Sequence, residues 1–263
     1  MGILNVTPDS FSDGGQFSTL ESAVARAGEM ISEGAAIIDV GGESTRPGSR
    51  EVSVAEENQR VLPVIEAIVK EFPDTCLSID TSKAEVAGAA VAAGASIIND
   101  VTGFRDPAMI QVAAETGAGI VVMHMQGTPR TMQSDPTYED VVAEIRGFFE
   151  SMHHTLTDAG VAPKAIVYDP GIGFGKTLDH NLTLLRHLDQ LTVADRPLLL
   201  GVSRKSFLGK LIGSDEVADR NAPTVAITSQ AREQGVCLHR VHEVRPNLEA
   251  LRMTEAILGG VAG

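Results

Sequence analysis

GAAIIDVGGESTRPGS, residues 34–49, is the stretch from which the fold is read. Its first part, AAIIDV, is a short apolar run with an aspartate, Asp39, next to its end. It does not alternate apolar and polar residues, so it suits a strand covered on both faces, as in a parallel sheet. Its second part is a polar loop bounded by Gly41, Gly42 and Gly48 and bent at Pro47. Beyond it, Val54, Val61, Leu62, Ile65 and Ile68 fall at helical spacing, with Ser53 and Glu56 at capping-box separation. The unit is strand, decorated loop, helix. It returns further on as GASIIND, residues 94–100. The glycine ahead of each strand is the residue that a helix C-cap favours, and Gly117, Gly160 and Gly235 stand in the same relation to later strands.

Working outward, eight such apolar runs appear: GILN (2–5), AIIDV (36–40), CLSID (76–80), SIIND (96–100), IVVMH (120–124), AIVYD (165–169), LLLGVS (198–203) and CLHRVH (237–242). Helical patterns separate them, one with its stripe at Leu20, Val24, Ala27, Met30 and Ile31. Others begin near Lys83, Pro107, Thr137, Asp179, Arg220 and Pro246. Eight βα units in 263 residues, with no linker, predict an α/β chain folded as one (β/α)8 TIM barrel spanning residues 1–263. A doubly wound open sheet is the other arrangement of alternating units. Its dinucleotide fingerprint is missing, since VTPDSF follows the first run.

Composition narrows the function. With 21 Lys and Arg against 35 Asp and Glu, the chain carries a formal charge of −14, the wrong sign for a surface that tracks nucleic-acid phosphates. The longest apolar stretch, AGAAVAAGASII (87–98), is too short to span a membrane. The sequence turns polar directly after MGILNV, so no secretory leader is expected, and a cytoplasmic protein is. Cys76 and Cys237 lie 161 positions apart in apolar runs and read as two buried free thiols.

Polar residues gather at the C-terminal ends of the runs: Asn5, Asp39, Asp80, Asn99 with Asp100, His124, Asp169, Ser203 with Lys205, and Arg240 with His242. In a parallel barrel these ends meet at one mouth. Any single one could cap the next helix, but eight point to a cavity. Asp80, Asn99 and Asp169 suit a flat heterocycle with several N–H donors, because a carboxylate takes two parallel hydrogen bonds from an amino-amidine edge. Arg46, Lys205, Arg240 and His242 are cations in an acidic chain and suit a phosphate or diphosphate. Two tempting motifs fail. GIGFGKT (171–177) has Pro170 where a P-loop needs glycine, and the adjacent His153 and His154 lie in a helical pattern without further ligands.

These pieces together resemble the dihydropteroate synthase family along essentially the whole chain. The resemblance rests on MGILNVTPDSFSDGG (1–15) and GAAIIDVGGESTRPGS (34–49), followed in order by SIDT, IINDVTG, VVMHMQGTP, YDPGIGFGK, GVSRKSFLG and HRVHEV. It implies a TIM barrel that condenses (7,8-dihydropterin-6-yl)methyl diphosphate with 4-aminobenzoate and releases diphosphate. It further implies that Asp80, Asn99, Asp169 and Lys205 hold the pterin, with Met123, Phe174 and Gly201 lining its slot. Asn5 would help to hold Mg2+; Arg46, Arg240 and His242 would bind the diphosphate. Phe11, Thr45, Pro47 and Ser203 would shape the aminobenzoate site, and Asp13 would face the reacting carbon. The family is usually dimeric, through late helices. A pterin-dependent methyltransferase serving a corrinoid partner would share Asp80, Asn99 and Asp169 but needs no diphosphate site. A non-catalytic pterin-binding paralogue would lack diphosphate ligands, which are present here. A Schiff-base aldolase could use Lys205, but Ser203 and Arg204 beside it give no apolar pocket to depress its pKa.

Overall fold

Val- and Ile-rich runs need both faces covered, by helices on both sides of an open sheet or by a sheet that closes on itself, and this one closes. In the computed structural model, residues 1–7, 16–44, 50–128 and 131–259 are described, residues 16–19 by their backbone alone. Six strands pair in parallel in sequence order: β1 (Gly2–Asn5), β2 (Ile37–Gly41), β3 (Cys76–Asp80), β4 (Ile97–Asp100), β5 (Gly119–Met123) and β6 (Ile166–Asp169). Strands β7 (Leu199–Leu200) and β8 (Leu238–His239) pair with each other. Two bridges, Tyr168 to Leu198 and Gly2 to Val241, join the pieces into a ring. Hydrogen bonds continue past the short strands: Arg240 N–H donates to the Leu200 carbonyl at 3.0 Å, and Ile3 N–H to the Val241 carbonyl at 2.9 Å. The fold is the expected TIM barrel, with its last two strands much shorter than the six-residue runs foretold.

Nine helices are described: α1 (Gln16–Ser32), α2 (Val54–Glu71), α3 (Ala84–Ala92), α4 (Pro107–Thr116), α5 (Val141–Asp158), α6 (Leu178–Arg186), α7 (Ser206–Ile212), α8 (Asn221–Glu233) and α9 (Val244–Ile257). Helix α5 starts four residues later than Thr137, because Asp140 is its N-cap and accepts from Val142 N–H and Ala143 N–H at 3.0 Å. Half of the capping box on α2 forms. Ser53 accepts from Glu56 N–H at 3.2 Å, while the Glu56 carboxylate turns to Arg60. The glycines that open the two repeated units have φ of 97° at Gly34 and 119° at Gly94. A Cβ there would also strike Leu248 at 2.5 Å and Val69 at 2.7 Å, so both conformation and space require glycine.

Strand register sorts the residues into layers. Ile3, Asp39, Ser78 and Ile97 stand side by side, and so do Asn5, Gly41, Asp80, Asn99 and Val121. Registered neighbours in a parallel sheet share a face, and these two rows face the barrel interior. The intervening residues, among them Leu4, Ile38, Val40, Ile79, Ile98 and Val122, pack against helix residues such as Ile65, Ile68, Met109 and Phe149 in one core. Among the described residues no helix is long and apolar enough to cross a membrane. The thiols are unpaired as expected but not buried: Cys76 is half-buried at the start of β3, and Cys237 is exposed ahead of β8.

Candidate active site

At the C-terminal end of the barrel, Arg240 is the hub. Its Nε donates to Asp39 Oδ2 at 2.5 Å and its Nη2 to Asp80 Oδ2 at 2.6 Å. Asn99 Nδ2 donates to the same Asp39 oxygen at 3.1 Å. Burial works against the guanidinium charge, but the Asp39 and Asp80 carboxylates outweigh it and push the Arg240 pKa above the arginine range. Asp80 lies in the opposite balance. Burial and the nearby Asp39 raise its pKa to about 7 although Arg240 lowers it.

Asp169, at the end of β6, forms the other wall. Its Oδ1 accepts from Gly171 N–H at 2.7 Å, and burial raises its pKa against the pull of Lys205. The GIGFG loop then folds back on itself. Gly171 has φ of 64°, and a Cβ on it would sit 1.9 Å from the His124 carbonyl, so only glycine lets the loop pass. Lys205 lies across this loop. Its ammonium donates to the Ile172 carbonyl and sits 4.5 Å from the centre of the Phe174 ring. Burial lowers its pKa to about 8, with Asp169 opposing and Arg240 assisting. The sequence reading found nothing to depress this amine. The missing causes are burial beside the Phe174 loop and the Arg240 charge, each more than 30 positions away in sequence.

Met123 and Phe174 meet in one apolar patch with Val101, Met125 and Met132. Two glycines keep the interior open. A Cβ on Gly41 would project between Asp80 Oδ2, 3.6 Å away, and Asn5 Oδ1, 3.8 Å away. One on Gly201 would project towards Asp169 Oδ2 at 3.7 Å and Arg240 Cβ at 3.9 Å. Ser203 and His242 form a separate pair at the rim. Ser203 Oγ lies 2.9 Å from His242 Nδ1 and accepts from His242 N–H at 3.1 Å. Between Ser203 and Lys205, Arg204 takes a left-handed φ of 59° and pairs with Glu243.

So Asn5, Asp80, Asn99, Met123, Asp169, Phe174, Gly201, Ser203, Lys205, Arg240 and His242 all sit at one end of the barrel. Phe11, Asp13, Thr45, Arg46 and Pro47 lie outside the described residues. Two polar strand ends expected in the cavity are elsewhere. The Asp100 carboxylate accepts from Thr102 N–H and Phe104 N–H, both at 2.8 Å, and so ties its own loop. His124 is buried against the Phe148 ring, with Lys176 Nζ 3.1 Å from its Nδ1, and burial pushes its pKa down to about 3. Both are one residue past an inward-pointing neighbour, which turns them towards the helices. Conversely, Asp39 was read only as one strand end among eight. The structure makes it the buried centre of the polar cluster, and its position inside the AIIDV run was the available signal.

The profile of a family described as pterin binding enzyme matches residues 1–242. The dihydropteroate synthase of Escherichia coli (strain K12) is 49% identical over 258 residues, covering 98% of this chain and 91% of that one. Among solved structures, the Yersinia pestis dihydropteroate synthase in a sulfonamide drug complex superposes with a TM-score of 0.93 at 46% identity, over 99% of this chain and 94% of that one. The Xanthomonas albilineans dihydropteroate synthase with 4-aminobenzoic acid gives 0.92 at 44% identity, over 99% and 93%.

Proposed function

The chain belongs to the pterin-binding enzyme family, and on that premise we propose that it is a dihydropteroate synthase, joining a dihydropterin-methyl diphosphate to 4-aminobenzoate. The observation that carries this reading is the group of Asp80, Asn99, Asp169 and Lys205 around a slot walled by Met123 and Phe174. Acceptors at its edges and an apolar wall match a heterocycle rich in N–H donors.

Chemistry then requires separation of charge. The C–O bond to diphosphate breaks with its electron pair on the leaving oxygen, and the pterin methylene is left cationic. The aminobenzoate nitrogen forms the new C–N bond and loses one proton. A weak aniline suffices as nucleophile, so no strong base is needed. Protein cations that meet the diphosphate lower the barrier by stabilising the leaving charge. His242 at the rim, together with Arg46 and Arg240, is assigned to that task. Arg240 lies deeper, held between Asp39 and Asp80, and its positive charge also supports the ionised form of Asp80. Phe11, Thr45, Pro47 and Ser203 are assigned to aminobenzoate, and Asp13 to the reacting carbon.

Mg2+ fits the donors modestly. Among the described residues no group of three His, Cys, Asp or Glu could hold a metal. Mg2+, however, commonly takes one or two protein oxygens and completes its shell with water and substrate phosphates. Asn5 Oδ1, beside the space that Gly41 leaves free, offers one hard oxygen. When bound, the ion would neutralise part of the diphosphate charge. A second copy of the chain is assigned to the late helices, where Met253, Ile257 and Leu258 are 64%, 76% and 56% exposed. Cytoplasmic residence is part of the same proposal and accords with the two unpaired thiols.

A diphosphate-release assay with both substrates, with and without Mg2+, tests the reading. Release that requires 4-aminobenzoate is expected. Release that ignores it, or none, rejects the synthase.

A further inference from the structure

Asp39 is wholly buried and stands one layer below Asp80 and Asn99, in the row of Ile3 and Ser78. From there it cannot touch a ligand that lies on the upper row. One of its oxygens, Oδ2, nonetheless holds two groups of that row's site: Asn99 Nδ2 at 3.1 Å and Arg240 Nε at 2.5 Å. Its other oxygen has no protein partner, and neither has Ser78 Oγ in the same row. All of the carboxylate's contacts with the site therefore pass through a single atom.

Resting on the synthase reading, we propose that Asp39 is a positioning residue that fixes the polarity of the pterin site from beneath. A carboxylate only accepts, so the Asn99 amide must face it with its NH2. The Asn99 carbonyl oxygen is then the atom left for the ligand, which must present an N–H donor there. The same carboxylate oxygen seats Arg240, whose other arm holds Asp80. One buried charge thus sets the orientation of the amide and the placement of the cation. A neutral residue of the same shape would leave Asn99 free to turn either end to the cavity.

The test is the intact protein titrated with 6-hydroxymethylpterin by calorimetry. Asp39→Asn should weaken binding about 10- to 100-fold, the range expected when hydrogen bonds to a charged group are lost. In an Asn99→Ala background the same substitution should cost far less, because its main route of action is already gone. KM for 4-aminobenzoate should stay within about twofold, which a general loss of structure would not spare. A second measurement needs no variant at position 39. With 15N-labelled asparagine, the Asn99 side-chain amide protons, identified by their loss in Asn99→Ala, should exchange slowly with solvent. Unchanged pterin affinity in Asp39→Asn, fully additive losses, or fast exchange at Asn99 would each overturn the proposal. Failure of the wild-type protein to bind the pterin would instead reject the synthase reading, while the exchange measurement still judges the Asp39 contact.

Discussion

Asn99 and Asp100 are neighbours in sequence, both polar and both buried, yet they serve opposite sides of the barrel wall. Asn99 points inward and meets Asp39; Asp100 points outward and ties the loop of Thr102 and Phe104. Met123 and His124 repeat the contrast one strand later, with Met123 in the slot and His124 packed against Phe148. The difference comes from the period-two alternation of a strand. Inward polar residues of the upper row line the barrel mouth, with Asp39 beneath them. Outward ones find their partners in the protein and hold the frame. Burial and residue type do not separate the two classes; the face does.

Substitutions on the two faces should therefore fail in different ways. The largest effect is expected on the inner face. Asp169→Ala should weaken pterin binding by 100-fold or more, since each unpaired buried donor costs about 1–3 kcal/mol and a carboxylate can receive two. Calorimetry that finds the affinity unchanged would remove Asp169 from the site. On the outer face, Asp100→Ala should leave pterin affinity within about twofold. It should still destabilise the fold by a few kcal/mol, because the amides of Thr102 and Phe104 lose their acceptor. A chemical denaturation midpoint that fails to fall, or affinity that falls with it, would break the distinction.

The inner face should also respond to pH. The folded-state pKa of Asp80, about 7, lies above its value in the unfolded chain, near 4. The native protein thus binds the extra proton between these values. The stability contributed by protonated Asp80 is full below about pH 4 and is lost as pH rises through about 7. Asp80→Asn should flatten that part of the stability profile. A ligand edge that donates two N–H groups needs the ionised carboxylate, so pterin binding below pH 7 should release a proton. Calorimetry in two buffers of different ionisation enthalpy would detect it, and equal heats would contradict the pairing. The smallest effect concerns Lys205, whose pKa is near 8. If its charge is required, kcat/KM should decline above that pH, and Lys205→Arg should carry the decline upward by keeping the charge. An alkaline limb that does not move would assign it to another group.

Much of the site could be read from the sequence because it sits on strands. A polar residue at the end of an apolar run is conspicuous, and the barrel forces all such ends to one mouth. Asp80, Asn99, Asp169 and Arg240 were found in this way. The lowered pKa of Lys205 was not, because it depends on burial beside the Phe174 loop and on the Arg240 charge, neither of them near it in sequence. Helix α7 was missed because seven residues are too few to show a period. Strands β7 and β8 were drawn too long because apolar character runs past the last ladder bond, where the chain already turns into site loops.

Sequence alone determined the repeated strand–loop–helix unit, its eightfold count, the glycines at the helix ends and the chemical types gathered at the mouth. These are local properties, set by apolar periodicity and by the backbone freedom of glycine. Only the tertiary structure decided which of the polar residues face the barrel interior and which hold loops. It also decided that Asp39 lies beneath them all and that Arg240 bridges two carboxylates. Those outcomes depend on strand register and ring closure, where residues as far apart as Asp39 and Arg240 come within 2.5 Å. No local pattern encodes a distance of that kind, because it is fixed by the packing of all eight strands at once.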